Sequence, residues 1–193
     1  HNYEAQGVFE NFVVGGTANN SITDTSGPEV LMYLNTDNFV SGDKVNEAPL
    51  FIAVIKDVNG FNTVGSGIGH DLLLTIDNDP MKSFILNDNF QALQDSYSAG
   101  TVKYKLPQLE NGKHTLTFRV CDLLNNSSTT SIEFEVVKGL TPTIFSIANY
   151  PNPFKESTRI RINHDRPETI LKTTVEIFDI LGKKIWSFEE PST

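Results

Sequence analysis

A period of two in the apolar residues is the feature that most constrains how this chain folds, although Ile52 and Val54 make one segment apolar on both faces. Between residues 27 and 138, six short segments place an apolar side chain at every second position, centred on residues 30–34, 51–55, 72–76, 102–106, 116–120 and 132–136. A period of two, interrupted by clusters of Gly, Pro, Asn and Asp, predicts strands with one buried face. We therefore predict an all-β protein in which residues 27–138 form an antiparallel β-sandwich.

The shorter signals between these segments agree with a sandwich. Asn59-Gly60 and Asn111-Gly112 supply turn residues that tolerate positive φ. Residues 82–87 are expected to add a short seventh strand, whereas residues 90–96 are expected to form at most one helical turn.

A polar corner is expected before the last strand of the sandwich. Asp122, followed by Asn125-Asn126, predicts a turn stabilised by the aspartate side chain. The stretch from Gly112 to this corner resembles the penultimate strand and turn of bacterial immunoglobulin-like domains. The resemblance implies that the sandwich is immunoglobulin-like.

The chain is acidic, and the charge is unevenly distributed. The formal net charge is −9; residues 1–140 carry 17 acidic and 8 basic side chains, whereas residues 141–193 carry 7 of each. Because phosphate groups and anionic lipids bind clustered Lys and Arg, we do not expect nucleic acid or an anionic membrane surface as a partner. The sequence also lacks an apolar run of about 18 residues, so direct membrane insertion is not expected.

Residues 1–26 contain one apolar segment, Gly7–Val14, followed by two glycines and a polar run. A single strand cannot bury its own apolar face. The segment either pairs with the sandwich or is a strand and linker from an upstream domain, and we prefer the second interpretation.

Two prolines in three residues mark a change of pattern after the sandwich. Tyr150-Pro151-Asn152-Pro153 excludes a helix and predicts a stiff, extended elbow. If the strand before it is regular, three side chains share one face: Ile144, Ser146 and Ala148. A tight turn is expected near Gly182, with Trp186 on the returning strand. We predict a short hinge at residues 138–142 and a small β-sandwich tail domain over residues 139–193.

The elbow, the alternating strand at residues 158–162 and the strand ending Asp179-x-x-Gly182-Lys183 resemble the C-terminal sorting tail of proteins exported by the type IX secretion system of Bacteroidetes. Tails of that family run on for further strands, so the tail domain is expected to be incomplete here. The resemblance implies that the interaction motif of the tail consists of Tyr150, Pro151, Asn152, Pro153, Asp179, Gly182, Lys183 and Trp186.

A more specific resemblance runs from about residue 24 to the end. Four segments are similar to the C-terminal region of the gingipain-type cysteine peptidase that serves as sortase of the same secretion system: residues 24–28, 32–35, 57–71 and 157–168. The resemblance implies a non-catalytic interaction and targeting module whose parent, a cysteine peptidase, processes exported cargo and attaches it to the cell surface. It also implies export through the periplasm, a location at the cell surface or outer membrane, and an outer-membrane component of the secretion machinery as protein partner.

An alternative is the C-terminal part of an exported surface adhesin or glycan-binding cargo protein. A flat platform of exposed aromatic side chains from Phe61, Phe90 and Tyr97 would favour it. The basic residues Arg159, Arg161, Lys183 and Lys184 could form a stripe for a partner, but a solvated strand face is the simpler explanation.

Three patterns suggest chemistry, and each has a simpler explanation. Gly65–Gly69 has G-x-G-x-G spacing, and a strand follows where a phosphate loop needs a helix. Cys121 and His114 fall in opposite phases of one strand, about 20 Å apart, so they do not predict a nucleophile with its base. Asp77 and Asp79 leave open a calcium ion at a loop edge, although EF-hand spacing is absent. We predict no catalytic residue and no other cofactor.

Overall fold

The computed structural model describes residues 24–61, 70–94, 96 and 98–192. The expected strand at Gly7–Val14 and the glycine-rich segment Gly65–Gly69 lie outside these residues. The described strands are β1 (Glu29–Leu34), β2 (Lys44–Val45), β3 (Leu50–Lys56), β4 (Leu73–Ile76), β5 (Ser83–Ile85), β6 (Phe90–Ala92), β7 (Ala99–Lys105), β8 (Gly112–Cys121), β9 (Ser127–Val136), β10 (Ile144–Tyr150), β11 (Arg159–His164), β12 (Leu171–Phe178) and β13 (Lys184–Ser192). Two single-turn 3₁₀ helices, Pro80–Lys82 and Asn87–Asn89, flank β5.

The first nine strands form two sheets. One sheet has the order β1-β3-β7-β6 and the other the order β2-β9-β8-β4-β5. All pairings are antiparallel except that of the two-residue β2 with β9, which is parallel. The predicted all-β, immunoglobulin-like fold is confirmed.

Alternating apolar side chains from both sheets form one core. Phe51 of β3 and Phe118 of β8 are fully buried and meet edge to face, with ring centroids 5.4 Å apart. Fully burying a side chain of this size stabilises a fold by about 1.5–3 kcal/mol. Among the described residues, every buried apolar side chain lies at or before Val136. The packing that holds the chain together is therefore in the sandwich.

Residues 90–96 contain a short strand that the sequence does not indicate. Residues Phe90–Ala92 form β6, which pairs with β7, and a single turn follows, closed by the Ser96 N–H and the Leu93 carbonyl at 3.1 Å. The ring of Phe90 lies where a side chain at Gly100 would be, and it packs on Phe61 at a centroid distance of 4.9 Å. A three-residue strand fixed by contacts with distant residues leaves no periodic signal in the sequence. The six segments and the seventh strand, β5, are present as predicted.

The residues after β9 form two separate β-hairpins, β10-β11 and β12-β13, with no ladder between them in the described part of the chain. The prediction that the elbow is extended is wrong, because the chain reverses direction there. Tyr150 pairs with Arg159, so residues 151–158 close the first hairpin, and the Tyr150–Pro151 and Asn152–Pro153 peptide bonds are cis. The hinge predicted at residues 138–142 falls between β9 and β10; the domain limits themselves stay predictions.

The strand before the elbow is irregular, so the condition for Ile144, Ser146 and Ala148 to share a face is not met. The register of β10 against β11 shifts between Ile144 and Ser146. A bulge of this kind changes the phase of the strand by one residue. Ile144 consequently lies with Ile147, and not with Ser146 and Ala148, on the wall of the groove described below.

Candidate interaction surface

The Asp-x-x-Gly-Lys motif builds the turn of the second hairpin. Asp179 Oδ1 accepts hydrogen bonds from the backbone N–H groups of Leu181 and Lys183, both at 2.9 Å, and the Asp179 N–H donates to the Lys183 carbonyl at 2.9 Å. Gly182 has φ +79°, which disfavours any residue with a Cβ atom. The aspartate and the glycine of the motif therefore have structural roles, and the apolar side chains of Ile180 and Leu181 are left exposed at the tip.

The elbow is closed by a short polar network. Thr158 Oγ1 donates to the Pro151 carbonyl at 2.9 Å and accepts from Asn149 Nδ2 at 3.4 Å. Tyr150 is 81% exposed, and the ring of Phe154 is half exposed. The elbow thus holds two aromatic rings in solvent at one end of the first hairpin.

A groove of about 980 Å³ separates the two hairpins. Both hairpins contribute to its mainly apolar walls, through Ile144, Ile147, Ile160, Ile162, Leu171, Val175, Trp186 and Phe188. The rings of Trp186 and Phe188 stack nearly parallel at 5.6 Å, yet they remain 46% and 43% exposed. An open apolar cleft of this kind is typical of a surface that contacts another protein segment.

The basic residues of the tail come from both hairpins. Arg159 and Arg161 lie on exposed positions of β11, whereas Lys184 lies on β13 in the other hairpin and pairs with Glu176 at 2.8 Å. Because Lys184 is paired with Glu176 and the two arginines lie on the other hairpin, we regard the apolar groove, and not the basic residues, as the candidate binding surface.

The carboxylates proposed for calcium are engaged by protein groups. Asp77 Oδ2 lies 2.9 Å from His114 Nδ1 and 3.6 Å from Lys82 Nζ, and the Thr115 N–H donates to Oδ1 at 3.1 Å. Burial raises the pKa of Asp77, but these hydrogen bonds and charges outweigh it and lower the pKa below 3.8. Asp79 caps the 3₁₀ helix by accepting from the Met81 N–H. A calcium ion at this place stays a prediction.

A second group of carboxylates is not apparent from the sequence. Oxygen atoms of Asp24, Asp57 and Asp122 lie within 4.8 Å of one another at one end of the sandwich. Burial is the largest cause of a raised pKa at Asp57; the hydrogen bond from the Asn59 N–H opposes it, and the charges of Asp122 and Asp24 add to it. The three residues lie on loops far apart in sequence, so only the folded sandwich brings them together.

The cysteine and histidine that could suggest a peptidase site lie at opposite ends of β8. Both ring nitrogens of His114 are engaged, one by Asp77 and the other by the Glu110 carbonyl at 2.9 Å, and the ring stacks on Phe134. Cys121 is 5% exposed. This arrangement lacks the thiol-imidazole contact that nucleophilic catalysis needs.

None of the described helices has the length and apolar character needed to cross a membrane.

Comparison with known proteins identifies the tail. Residues 148–192 match the family model of the secretion system C-terminal sorting domain. The sorting domain expected from the elbow and the Asp-x-x-Gly-Lys turn is therefore present.

The chain is also similar to the crystal structure of dimeric latent PorU from Porphyromonas gingivalis, with 37% sequence identity and a TM-score of 0.62. The match covers 88% of this chain and 16% of the PorU chain. PorU is the gingipain-like sortase of the type IX system, so the resemblance to that sortase is confirmed, and the chain is a C-terminal module related to type IX secretion.

The chain also matches the crystal structure of CopC from Methylosinus trichosporium OB3b, over 57% of this chain and 98% of CopC. The sequence identity of 16% and the TM-score of 0.34 are too low to support an argument. Among curated proteins there is no match.

Proposed function

We propose that this chain is the non-catalytic interaction and targeting module of a type IX sortase, a gingipain-like cysteine peptidase that processes exported cargo and attaches it to the cell surface. Its parent would be exported through the periplasm and held at the outer membrane. The module would bind an outer-membrane component of the secretion machinery through the groove between the two tail hairpins.

The open groove is the observation that carries this proposal. Its apolar walls are supplied by both hairpins, and the stacked rings of Trp186 and Phe188 form part of one side. Large aromatic side chains are the residues that most often dominate binding energy at protein interfaces. The unpaired edges of two-stranded sheets also offer backbone donors and acceptors to an added strand.

The absence of catalysis in this chain is supported by the surroundings of its single cysteine. Cys121 is buried in the sandwich, and the His114 ring at the other end of β8 is held by Asp77 and Glu110. The peptidase activity would therefore belong to another part of the parent protein.

The alternative, an exported adhesin or glycan-binding cargo protein, has less support. Phe61 is buried and packs on Phe90, so these two rings do not form a flat exposed platform; Tyr97 lies outside the described residues.

A binding experiment with outer membranes tests the proposed role. The purified chain is titrated onto outer membranes from a bacterium with a type IX system and onto membranes from a mutant that lacks its outer-membrane components. We expect saturable binding to the first membranes alone. Ile147→Asp places a charge on the groove wall and should weaken binding at least about tenfold. Ile85→Asp, at an equally exposed isoleucine on the sandwich, is the matched control.

Two further measurements separate the alternatives. Binding that is equal for both membranes, or equally weakened by the control variant, would contradict docking through the groove. In cells, removal of the module from a sortase should leave many exported proteins unattached, whereas removal from a cargo protein should affect that protein alone. Since the related PorU crystallised as a dimer, sedimentation of the free chain establishes whether a second copy fills the groove instead.

A further inference from the structure

The joint between the sandwich and the tail contains a buried arginine. Arg166 is 4% exposed, although it lies in the loop between β11 and β12, and both hairpins that flank this loop are largely exposed. Its Nη2 atom donates to the carbonyl groups of Leu140 and Thr141, at 3.1 and 3.3 Å. A loop of the tail is thereby bonded to the backbone of the hinge.

The neighbouring aspartate completes this arrangement. Asp165 Oδ2 lies 2.7 Å from Arg166 Nη1, and Asp165 Oδ1 accepts from the Thr143 N–H at 2.8 Å. The Asp165 N–H in turn donates to the Thr143 carbonyl at 3.1 Å. With a further hydrogen bond from Nη1 to the Asp165 carbonyl at 3.3 Å, the guanidinium group is compensated by a carboxylate and by three carbonyl groups, as a buried charge requires.

A second contact ties the same loop to the sandwich itself. Lys105, the last residue of β7, donates from Nζ to Thr169 Oγ1 at 3.0 Å and to the Pro167 carbonyl at 3.4 Å. Burial is the main cause of a lowered pKa at Lys105; the Glu168 carboxylate opposes the effect, and the charge of Arg166 adds to it. The ammonium group thus sits inside the joint and not in open solvent.

We propose that Arg166 is the positioning residue of an interdomain lock, in which the loop 165–170 holds the hinge at Leu140 and Thr141 and sets the direction in which the tail leaves the sandwich. Lys105 is the second anchor of the lock. The lock orients the groove relative to the sandwich whatever the groove binds, so it does not depend on the proposed function.

Proteolysis of the hinge tests the lock in the 193-residue chain. Trypsin cleaves after the exposed Lys138, and Arg166→Ala removes no cleavage site because Pro167 follows. We expect cleavage after Lys138 to accelerate at least about tenfold in Arg166→Ala, because hydrogen bonds of a charged donor are each worth about that factor in an opening equilibrium. Arg166→Lys should give an intermediate rate, since an ammonium group cannot reproduce the planar fork. Arg159→Ala, an exposed arginine of the same hairpin, is the control.

The chain carries its own probes for misfolding. Its single tryptophan, Trp186, reports on the tail, and its single cysteine, Cys121, reports on the sandwich. Faster cleavage of Arg166→Ala with unchanged tryptophan emission and unchanged thiol protection supports the lock. Cleavage no faster than in Arg159→Ala overturns it, and so does faster cleavage accompanied by a change in either probe. If Arg166→Lys is cleaved after Lys138 as slowly as the native chain, the planar guanidinium group is not needed and the assigned hydrogen-bonding geometry is overturned.

Discussion

Replacing Asp122 tests whether the polar corner, and not only the apolar core, holds the sandwich together. Its side chain is fully buried; Oδ1 accepts from the backbone N–H groups of Leu124 and Asn126 at 2.8 and 2.7 Å, and Oδ2 accepts from Asn126 Nδ2 at 2.7 Å. Asp122→Ala leaves three donors without this carboxylate acceptor, at about 1.5 kcal/mol each. It also relieves the repulsion from Asp24 and from Asp57, worth about 1 kcal/mol for each of the two pairs. We expect a net loss of about 2 kcal/mol in the free energy of unfolding.

The assay is urea unfolding followed by far-ultraviolet circular dichroism, in which a loss of this size lowers the midpoint by about 1 M. Asp122→Asn retains an oxygen for both backbone amides, so we expect it to lose less than half as much. Asp88→Ala, at an exposed aspartate, should change stability by less than about 0.5 kcal/mol. The reasoning is refuted if Asp122→Ala is as stable as Asp88→Ala, or if the asparagine variant is the less stable of the two.

Three further substitutions have expected outcomes that can be measured in the same way. Because the pKa of Asp57 is raised in the folded state, the free energy of unfolding falls as the pH rises from 3.8 through the folded-state pKa. Asp57→Asn should remove this decline and should be more stable than the native chain at pH 7. The lowered pKa of Asp77 has the opposite effect: the ionised carboxylate stabilises the fold above pH 3.8, and this stabilisation is lost as the pH falls through the folded-state pKa. Asp77→Asn should therefore cost about 1 kcal/mol at pH 7 and nothing in strong acid. Gly100→Ala should cost about 2–3 kcal/mol because the new methyl group collides with the Phe90 ring, and a Phe90→Ala background should recover part of that loss.

The sandwich could be predicted from the sequence because its strands carry their information locally. Each alternating segment specifies which face is buried, and a shift by one residue would expose every apolar side chain, so the pattern admits one register for the core. The corner at Asp122 is predictable for a similar reason, since the aspartate bonds amides within four residues of itself. A strand or turn that is determined by residues close together in sequence can therefore be predicted from the residue types alone.

Features created by distant contacts are not predictable in this way. Arg166 stands in a polar loop and gives no sign of burial until the hinge carbonyls lie against it. The bulge in β10 is equally hidden, because nothing near Ile144 in sequence requires the register shift that places it in the groove. The tail motif falls between these cases: the turn at Asp179 follows from local chemistry, but the groove forms only when two hairpins face each other.

The difference between the two parts of the chain explains why the tail is suited to recognition. A two-stranded sheet is marginally stable alone, and in the described residues neither tail hairpin contains a fully buried apolar side chain. Each 100 Å² of apolar groove surface that a partner covers would stabilise the hairpins by about 2.5 kcal/mol before the cost of ordering is paid. If the tail binds a partner through the groove as proposed, docking would also consolidate the two hairpins, and the sandwich, which contains the buried core, would provide the fixed support.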